Sequence, residues 1–126
     1  MPYNILAVDD NDDILNLIEG LLIDEKQFNI IKANSGRKAL DILEKERIDI
    51  VILDLMMPEM DGMEVLRTIR ANPGTSDMRV IILTAKDSIA DFSESLEKGV
   101  SLYLNKPFSY EKLKYSLDAV LEKKLD

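Results

Sequence analysis

Apolar residues follow two alternating patterns along the chain. Short segments rich in β-branched residues give way to longer segments in which apolar residues recur at helical spacing, and no internal repeat interrupts the pattern. The alternation predicts five strand–helix units and therefore an α/β fold built on a parallel sheet. The predicted strands are residues 3–8, 29–33, 48–53, 79–83 and 101–104.

Residues that commonly bound helices agree with these units. Ser35, Ser88 and Ser109 stand where helix N-caps are expected, and Gly99 follows the fourth predicted helix. The sequence therefore predicts a helix after each strand, including a fifth helix after the last one. The fourth helix is predicted to have an apolar face formed by Ile89, Phe92 and Leu96.

The composition of the strands predicts their order in the sheet. Strands that are covered by helices on both faces are continuously apolar, as residues 5–8, 50–53 and 80–83 are. The second and fifth strands are more polar, which favours edge positions. The predicted fold is thus a flavodoxin-like, doubly wound (βα)5 domain with a five-stranded parallel sheet of order 2-1-3-4-5. In that order, ligands bind beyond the carboxyl ends of strands one and three.

Length, charge and missing residue types narrow the classes of function. The 126 residues suit a single domain, which we expect to span residues 1–126. A net charge of -8 disfavours nucleic acid and anionic membranes as partners, and no apolar segment is long enough to span a bilayer, so we expect a cytoplasmic protein. The absence of cysteine and histidine excludes disulfides, thiol nucleophiles and Cys/His zinc sites.

Carboxylates cluster where the predicted strands end. Asp9 and Asp10 follow strand one and Asp54 follows strand three, so the fold should bring the three together. Two carboxylates about 5 Å apart repel by roughly 3 kcal/mol at an effective dielectric constant of 20. A hard divalent cation, Mg²⁺ before Ca²⁺, would relieve that repulsion. Asp12 and Asp13, taken singly, stand where acidic residues ordinarily cap a helix or balance its dipole.

Strands four and five end in groups that complement the carboxylates. Thr84 supplies a hydroxyl, and Lys106 supplies an ammonium group and is followed by Pro107. Alone, a threonine at a strand end is an ordinary strand residue, and a lysine there is ordinarily solvated. Together with the carboxylates, they would form a pocket able to receive a phosphoryl group.

Four motifs carry a resemblance to a known family. Along essentially its whole length, the chain resembles the receiver domain of two-component response regulators, as found in chemotaxis regulators. The motifs occur in the order and at the spacing of that family. They are Val8-Asp9-Asp10-Asn11, the run DLMMPEMDG at residues 54–62, Leu83-Thr84-Ala85 and Asn105-Lys106-Pro107-Phe108.

The resemblance implies roles for the acidic residues and their neighbours. Asp54 is the expected phosphoacceptor. The expected Mg²⁺ ligands are Asp9, Asp10, Asp54 and the main-chain carbonyl of Met56.

Further roles follow from the same resemblance for the last two strands. Thr84 and Lys106 are expected to hold the phosphoryl oxygens, and Tyr103 is expected to be the aromatic residue that turns inward on phosphorylation. The Lys106–Pro107 peptide bond is expected to be cis, although the general frequency for X-Pro bonds is only about 5%.

The resemblance also implies a signalling role that depends on partners. Because the chain has no histidine, the phosphohistidine donor must be another molecule, a sensor histidine kinase or a histidine phosphotransfer protein. We expect a switch that signals to a downstream protein through the face formed by the fourth helix, fifth strand and fifth helix. It would catalyse only its own phosphorylation and dephosphorylation, without turning over an external substrate. Possible contacts for the donor are Ile14, Leu15, Pro107 and Phe108.

Two other functional classes share parts of this pattern. A phosphomonoesterase resembling the haloacid dehalogenase superfamily also orders an Asp, a Ser or Thr and a Lys, but it usually has a second Asp two residues after the nucleophile. Met56 occupies that position and cannot transfer a proton. A flavodoxin-like electron carrier would need a first loop that binds phosphate, which residues 9–13 would repel. The chain could also be a receiver module of a longer regulator or hybrid kinase.

Overall fold

The computed structural model describes residues 2–57, 62–85 and 99–122. Its strands are β1 (Tyr3–Val8), β2 (Phe28–Ala33), β3 (Ile50–Asp54), β4 (Arg79–Ala85) and β5 (Leu102–Lys106). Its helices are α1 (Asp12–Leu21), α2 (Gly36–Lys45), α3 (Gly62–Ala71) and a C-terminal helix (Tyr110–Glu122). The predicted fourth helix, with its cap Ser88 and its apolar positions Ile89, Phe92 and Leu96, lies outside the described residues.

The five strands form one parallel sheet of order β2-β1-β3-β4-β5, which confirms the predicted fold. The continuously apolar strands β1, β3 and β4 occupy the centre, because each face of the sheet is covered by helices. On one face, alternate strand residues such as Ile5, Ile52 and Leu83 pack with α1 and the C-terminal helix. On the other face, Leu6 and Leu53 pack with residues of α2 and α3.

Side-chain caps fix the starts of the helices. Ser35 caps α2 by accepting the N–H of Lys38 at 3.2 Å, and Ser109 accepts the N–H of Lys112 at 3.1 Å, as predicted. The cap of α1 is Asn11, whose Oδ1 accepts the N–H of Asp13 at 2.9 Å. Each such cap is worth about 1 kcal/mol. Asp12 and Asp13 therefore lie in the first turn of α1, where acidic residues balance the helix dipole as expected, and do not cap the helix.

The strand boundaries differ from the prediction at two places that matter for the site. β3 begins at Ile50 instead of residue 48, because the Asp49 carboxylate turns back to accept the N–H of Asn4 on β1 at 2.7 Å. β4 and β5 extend to Ala85 and Lys106 because their pairing continues to that point. None of the described helices combines the length and the apolar character needed to cross a membrane.

Candidate functional site

Three carboxylates converge at the carboxyl end of the sheet. Asp9 and Asp10 directly follow β1, and Asp54 is the last residue of β3. Because β1 and β3 are paired neighbours, with Val8 opposite Leu53, the strand ends lie side by side. One carboxylate oxygen from each of the three residues lies within 4.8 Å of the others. The predicted cluster is therefore present.

Main-chain groups two residues farther along the chain orient the two buried carboxylates. Asp9 is fully buried, and its Oδ1 accepts the N–H of Asn11 at 2.9 Å. Asp54 is 4% exposed, and its Oδ1 accepts the N–H of Met56 at 3.0 Å. In each residue this bond holds one oxygen, and the second oxygen is directed to the ammonium group of Lys106.

Lys106, the last residue of β5, bridges the two buried carboxylates. Its Nζ lies 2.7 Å from Oδ2 of Asp9 and 3.4 Å from Oδ2 of Asp54. Apart from this ion pair, Oδ2 of Asp9 has no hydrogen-bond partner among the described residues, although it is buried. One ammonium group thus compensates two carboxylates, which leaves the site with excess negative charge.

The burial of these groups shifts their proton affinities. Burial, reinforced by the negative charge of Asp9, raises the pKa of Asp54 from 3.8 to about 6, against the opposing effects of the Met56 N–H and of Lys106. Burial also acts to lower the pKa of Lys106. The hydrogen bonds and charges of Asp9 and Asp54 outweigh that effect, so the pKa of Lys106 lies above its usual range.

The donor set fits a hard divalent cation. All three converging groups are carboxylates, and Asp10 is exposed, so one side of the cluster is open to water. Mg²⁺ typically binds one or two carboxylates and keeps several waters. The excess negative charge and the singly compensated Oδ2 of Asp9 are consistent with such an ion beside Lys106.

Four other predicted site residues lie in β4 and β5 or directly after β3 and β5. Thr84 lies in β4 opposite Asn105, and its side chain is outside what the structure describes. Met56, two residues after Asp54, is 63% exposed. Tyr103 is half-buried in β5. The Lys106–Pro107 peptide bond is cis, as predicted.

The proposed partner-contact residues differ in accessibility. Leu15 is 3% exposed and Phe108 is 8% exposed, and both belong to the core between the sheet, α1 and the C-terminal helix. They therefore offer a partner almost no surface, which counts against that part of the prediction. Ile14 is half-buried at the start of α1, and Pro107 is exposed.

Two contributors to the site had no assigned role at the sequence level. Asn11 both donates its N–H to Asp9 and caps α1, and an Asn directly before a helix is the signal that could have revealed it. Gly62 begins α3 and donates its N–H to the carbonyl oxygen of Leu55 at 3.1 Å. A Cβ at Gly62 would overlap the main chain of Asp54 and Leu55, so only glycine permits this approach.

A family comparison matches this arrangement. The family model of the response regulator receiver domain matches residues 5–118. The chain belongs to this family. Receiver domains are phosphorylation-dependent switches of two-component signalling, and they interact with histidine kinases. They are signalling domains and do not turn over an external substrate. The match favours the receiver over the phosphomonoesterase and the electron carrier.

Curated relatives of this receiver domain are longer proteins. The response regulator MprA of Mycolicibacterium vanbaalenii is 37% identical over 123 residues, covering 98% of this chain and 52% of the relative. The transcriptional regulatory protein GlrR of Escherichia coli is 39% identical over 122 residues, covering 96% of this chain and 27% of the relative. The chain thus spans about half the length of MprA and about a quarter of that of GlrR.

Solved structures of similar size share the fold. The chemotaxis protein CheY4 of Vibrio cholerae superimposes with a TM-score of 0.88 at 31% identity, covering 95% of this chain and 99% of that one. A putative response regulator of Chloroflexus aurantiacus gives a TM-score of 0.89 at 30% identity, covering 97% and 99%. Receiver domains similar to this one thus occur both within longer regulators and as chains of comparable length.

Proposed function

We propose that this receiver domain accepts a phosphoryl group on Asp54 from the phosphohistidine of a separate sensor histidine kinase or histidine phosphotransfer protein. The observation that carries the proposal is the convergence of Asp9, Asp10 and Asp54 within 4.8 Å, with the Lys106 ammonium bridging the two buried carboxylates. We further propose that residues 1–126 form one domain.

In the proposed transfer, a carboxylate oxygen of Asp54 forms a bond to phosphorus while the phosphorus–nitrogen bond of the donor breaks. The electron pair of that bond stays on the imidazole nitrogen, which takes a proton from water. Mg²⁺ bound by Asp9, Asp10, Asp54 and the Met56 carbonyl would neutralise charge on the phosphoryl oxygens. Lys106 would exchange its contact with Asp54, 3.4 Å long in the free chain, for a contact with a phosphoryl oxygen. The Thr84 hydroxyl would hold a second phosphoryl oxygen.

The pKa of Asp54 suits this role near neutral pH. With a pKa of about 6, Asp54 is ionised in about nine of ten molecules at pH 7, and the ionised form is the nucleophile. Bound Mg²⁺ would lower that pKa further because it stabilises the carboxylate. The rate of the Mg²⁺-dependent phosphorylation should therefore fall at acidic pH, with its midpoint below the metal-free pKa of about 6.

We propose that the output is a contact with a protein, made through β5 and the C-terminal helix together with the predicted fourth helix. A groove of about 330 Å³ between β5 and the C-terminal helix is lined by Leu102, Tyr103 and Tyr115, among others. Reorientation of Tyr103 would change this groove. The net charge of -8 favours a protein partner over nucleic acid for this domain itself.

The test is the intact mass of the protein after incubation with acetyl phosphate, with and without Mg²⁺. We expect a Mg²⁺-dependent gain of one phosphoryl group that is lost in Asp54→Asn. Asp13→Asn is the matched control, because it removes the same charge from an exposed carboxylate in the first turn of α1, outside the cluster. No gain with acetyl phosphate, together with no binding of beryllofluoride in the presence of Mg²⁺, would contradict the proposal.

A further inference from the structure

Helix α3 connects the acceptor end of the domain with the opposite end. Its first residue, Gly62, lies against the main chain of Asp54 and donates its N–H to Leu55. The helix contains ten residues and is therefore about 15 Å long. Its last turn, which carries Arg70, lies near the loops that lead into β4 and β5.

Arg70 donates a hydrogen bond to each of those two loops, one from each terminal nitrogen of its guanidinium group. Nη1 donates to the carbonyl oxygen of Ser76 at 2.9 Å, and Nη2 donates to the carbonyl oxygen of Gly99 at 3.1 Å. The planar guanidinium fixes both acceptors in one geometry, which a lysine could not do. Arg70 is half-buried; burial lowers its pKa, opposed by the charge of Asp77, and the group remains a charged donor.

The Gly99 carbonyl lies just before the start of β5. Gly99 has a φ of 72°, a left-handed conformation that glycine adopts without strain. Two residues later the N–H of Ser101 donates to the carbonyl oxygen of Val80 at 2.9 Å, and regular pairing then begins between Leu102 and Ile81. The Arg70 contact with Gly99 thus lies two residues before the first hydrogen bond that joins this segment to β4.

The register of β5 decides where Lys106 lies. Four residues after Leu102, the ladder ends with Lys106 opposite Ala85, which puts its ammonium beside Asp9 and Asp54. Within the described part of the chain β5 pairs with β4 alone, so its register depends on β4, on the burial of Leu104 and on the segment that leads into the strand. A slip by one residue would direct the Lys106 side chain to the other face of the sheet.

We propose that Arg70 is a positioning residue which, by holding the Gly99 carbonyl, sets the register in which β5 delivers Lys106 to the carboxylate cluster. The effect of Arg70 on phosphoryl binding rests on the function proposed above. The metal ligands do not share this dependence, because Asp9 and Asp10 follow β1 and Asp54 ends β3. Loss of the Arg70 contacts should therefore weaken phosphoryl binding without weakening Mg²⁺ binding.

The experiment compares Arg70→Met with Arg79→Met. Arg70 and Arg79 both line a cavity of about 450 Å³. Replacing Arg79 therefore removes one positive charge from the same region of the surface. Calorimetry would measure the affinity for Mg²⁺ alone and then for beryllofluoride at saturating Mg²⁺. Amide hydrogen exchange would compare Leu102–Lys106 with Tyr3–Val8. Arg70→Lys keeps the charge and the aliphatic stem, and it serves as the second variant should Arg70→Met fold poorly.

In Arg70→Met we expect beryllofluoride affinity to fall by about tenfold, the effect of losing one charge-assisted hydrogen bond. Relative to the unaltered protein, we also expect amide exchange to become faster in β5 but not in β1, and the Mg²⁺ affinity to be undiminished. Arg70→Lys should give a smaller loss and Arg79→Met almost none. Equal losses in Arg70→Met and Arg79→Met, a parallel loss of Mg²⁺ affinity, or unchanged exchange in β5 would overturn the proposal. If the unaltered protein bound no beryllofluoride, the function proposed above would fail, while the exchange comparison would still decide the role of Arg70.

Discussion

Replacing Asp54 with asparagine should stabilise the metal-free protein, and the gain should increase with pH. Burial raises the pKa of Asp54 from 3.8 to about 6. Because the folded-state pKa lies above the unfolded value, the folded state holds the proton more tightly than the unfolded chain does between these values. The stability contributed by Asp54 is therefore present at low pH and is lost as the pH rises through about 6.

The size of the effect follows from the two pKa values. Linkage gives a loss of about 1.4 kcal/mol in the free energy of unfolding between about pH 5 and pH 8 for the unaltered protein. Asparagine does not ionise and shows no such loss. Its Oδ1 can keep the bond from the Met56 N–H, and Lys106 keeps its partner Asp9 at 2.7 Å. The difference between the two proteins should thus grow by about 1.4 kcal/mol over this range.

Urea unfolding followed by far-UV circular dichroism, in EDTA and at several pH values, measures this difference. Asp41→Asn is the control, because Asp41 is an exposed carboxylate on α2 and its replacement changes the net charge by the same amount. The reasoning is refuted if the advantage of Asp54→Asn is independent of pH, shrinks as the pH rises, or is matched by Asp41→Asn.

Three further predictions concern the same site. Millimolar Mg²⁺ should raise the melting temperature, and Asp10→Asn should reduce that rise. A melting temperature that does not change with Mg²⁺ would contradict the metal assignment. Lys106→Met should cost about 3–5 kcal/mol in metal-free urea unfolding, because Asp9 would stay buried without its cation; a loss under about 1 kcal/mol would show that another group compensates it. Gly62→Ala should cost about 1–3 kcal/mol in thermal unfolding, since its methyl group would overlap the main chain of Asp54; an unchanged melting temperature would disprove this close contact.

The order of the strands could be predicted from the sequence because strands covered by helices on both faces are more apolar than edge strands. A central strand such as Ile50–Asp54 is buried at every position, while the edge strand Phe28–Ala33 has exposed positions at Asn29 and Lys32. The convergence of Asp9 and Asp54 was predictable for a related reason, since it requires only that both follow or end neighbouring parallel strands. These features depend on residue type and on sequence position alone.

Other features depend on distances that residue types do not encode. Lys106 lies closer to Asp9 than to Asp54, which follows from the register and length of β5. Asp49 shortens β3 by binding Asn4, a partner 45 positions away in the sequence. Arg70 binds main-chain carbonyls, and because every residue has one, the sequence gives no sign of which two it will select.

The charged residues of the site lie near the beginning, the middle and the end of the sequence. Asp9 follows the first strand, Asp54 ends the third, and Lys106 ends the fifth, on the far side of β4. During synthesis, a nascent chain that has emerged only as far as β4 carries both carboxylates without their counter-charge. The two carboxylates therefore gain their shared counter-charge only when the last strand joins the sheet. Competence to accept a phosphoryl group is therefore also a sign that the whole sheet has formed.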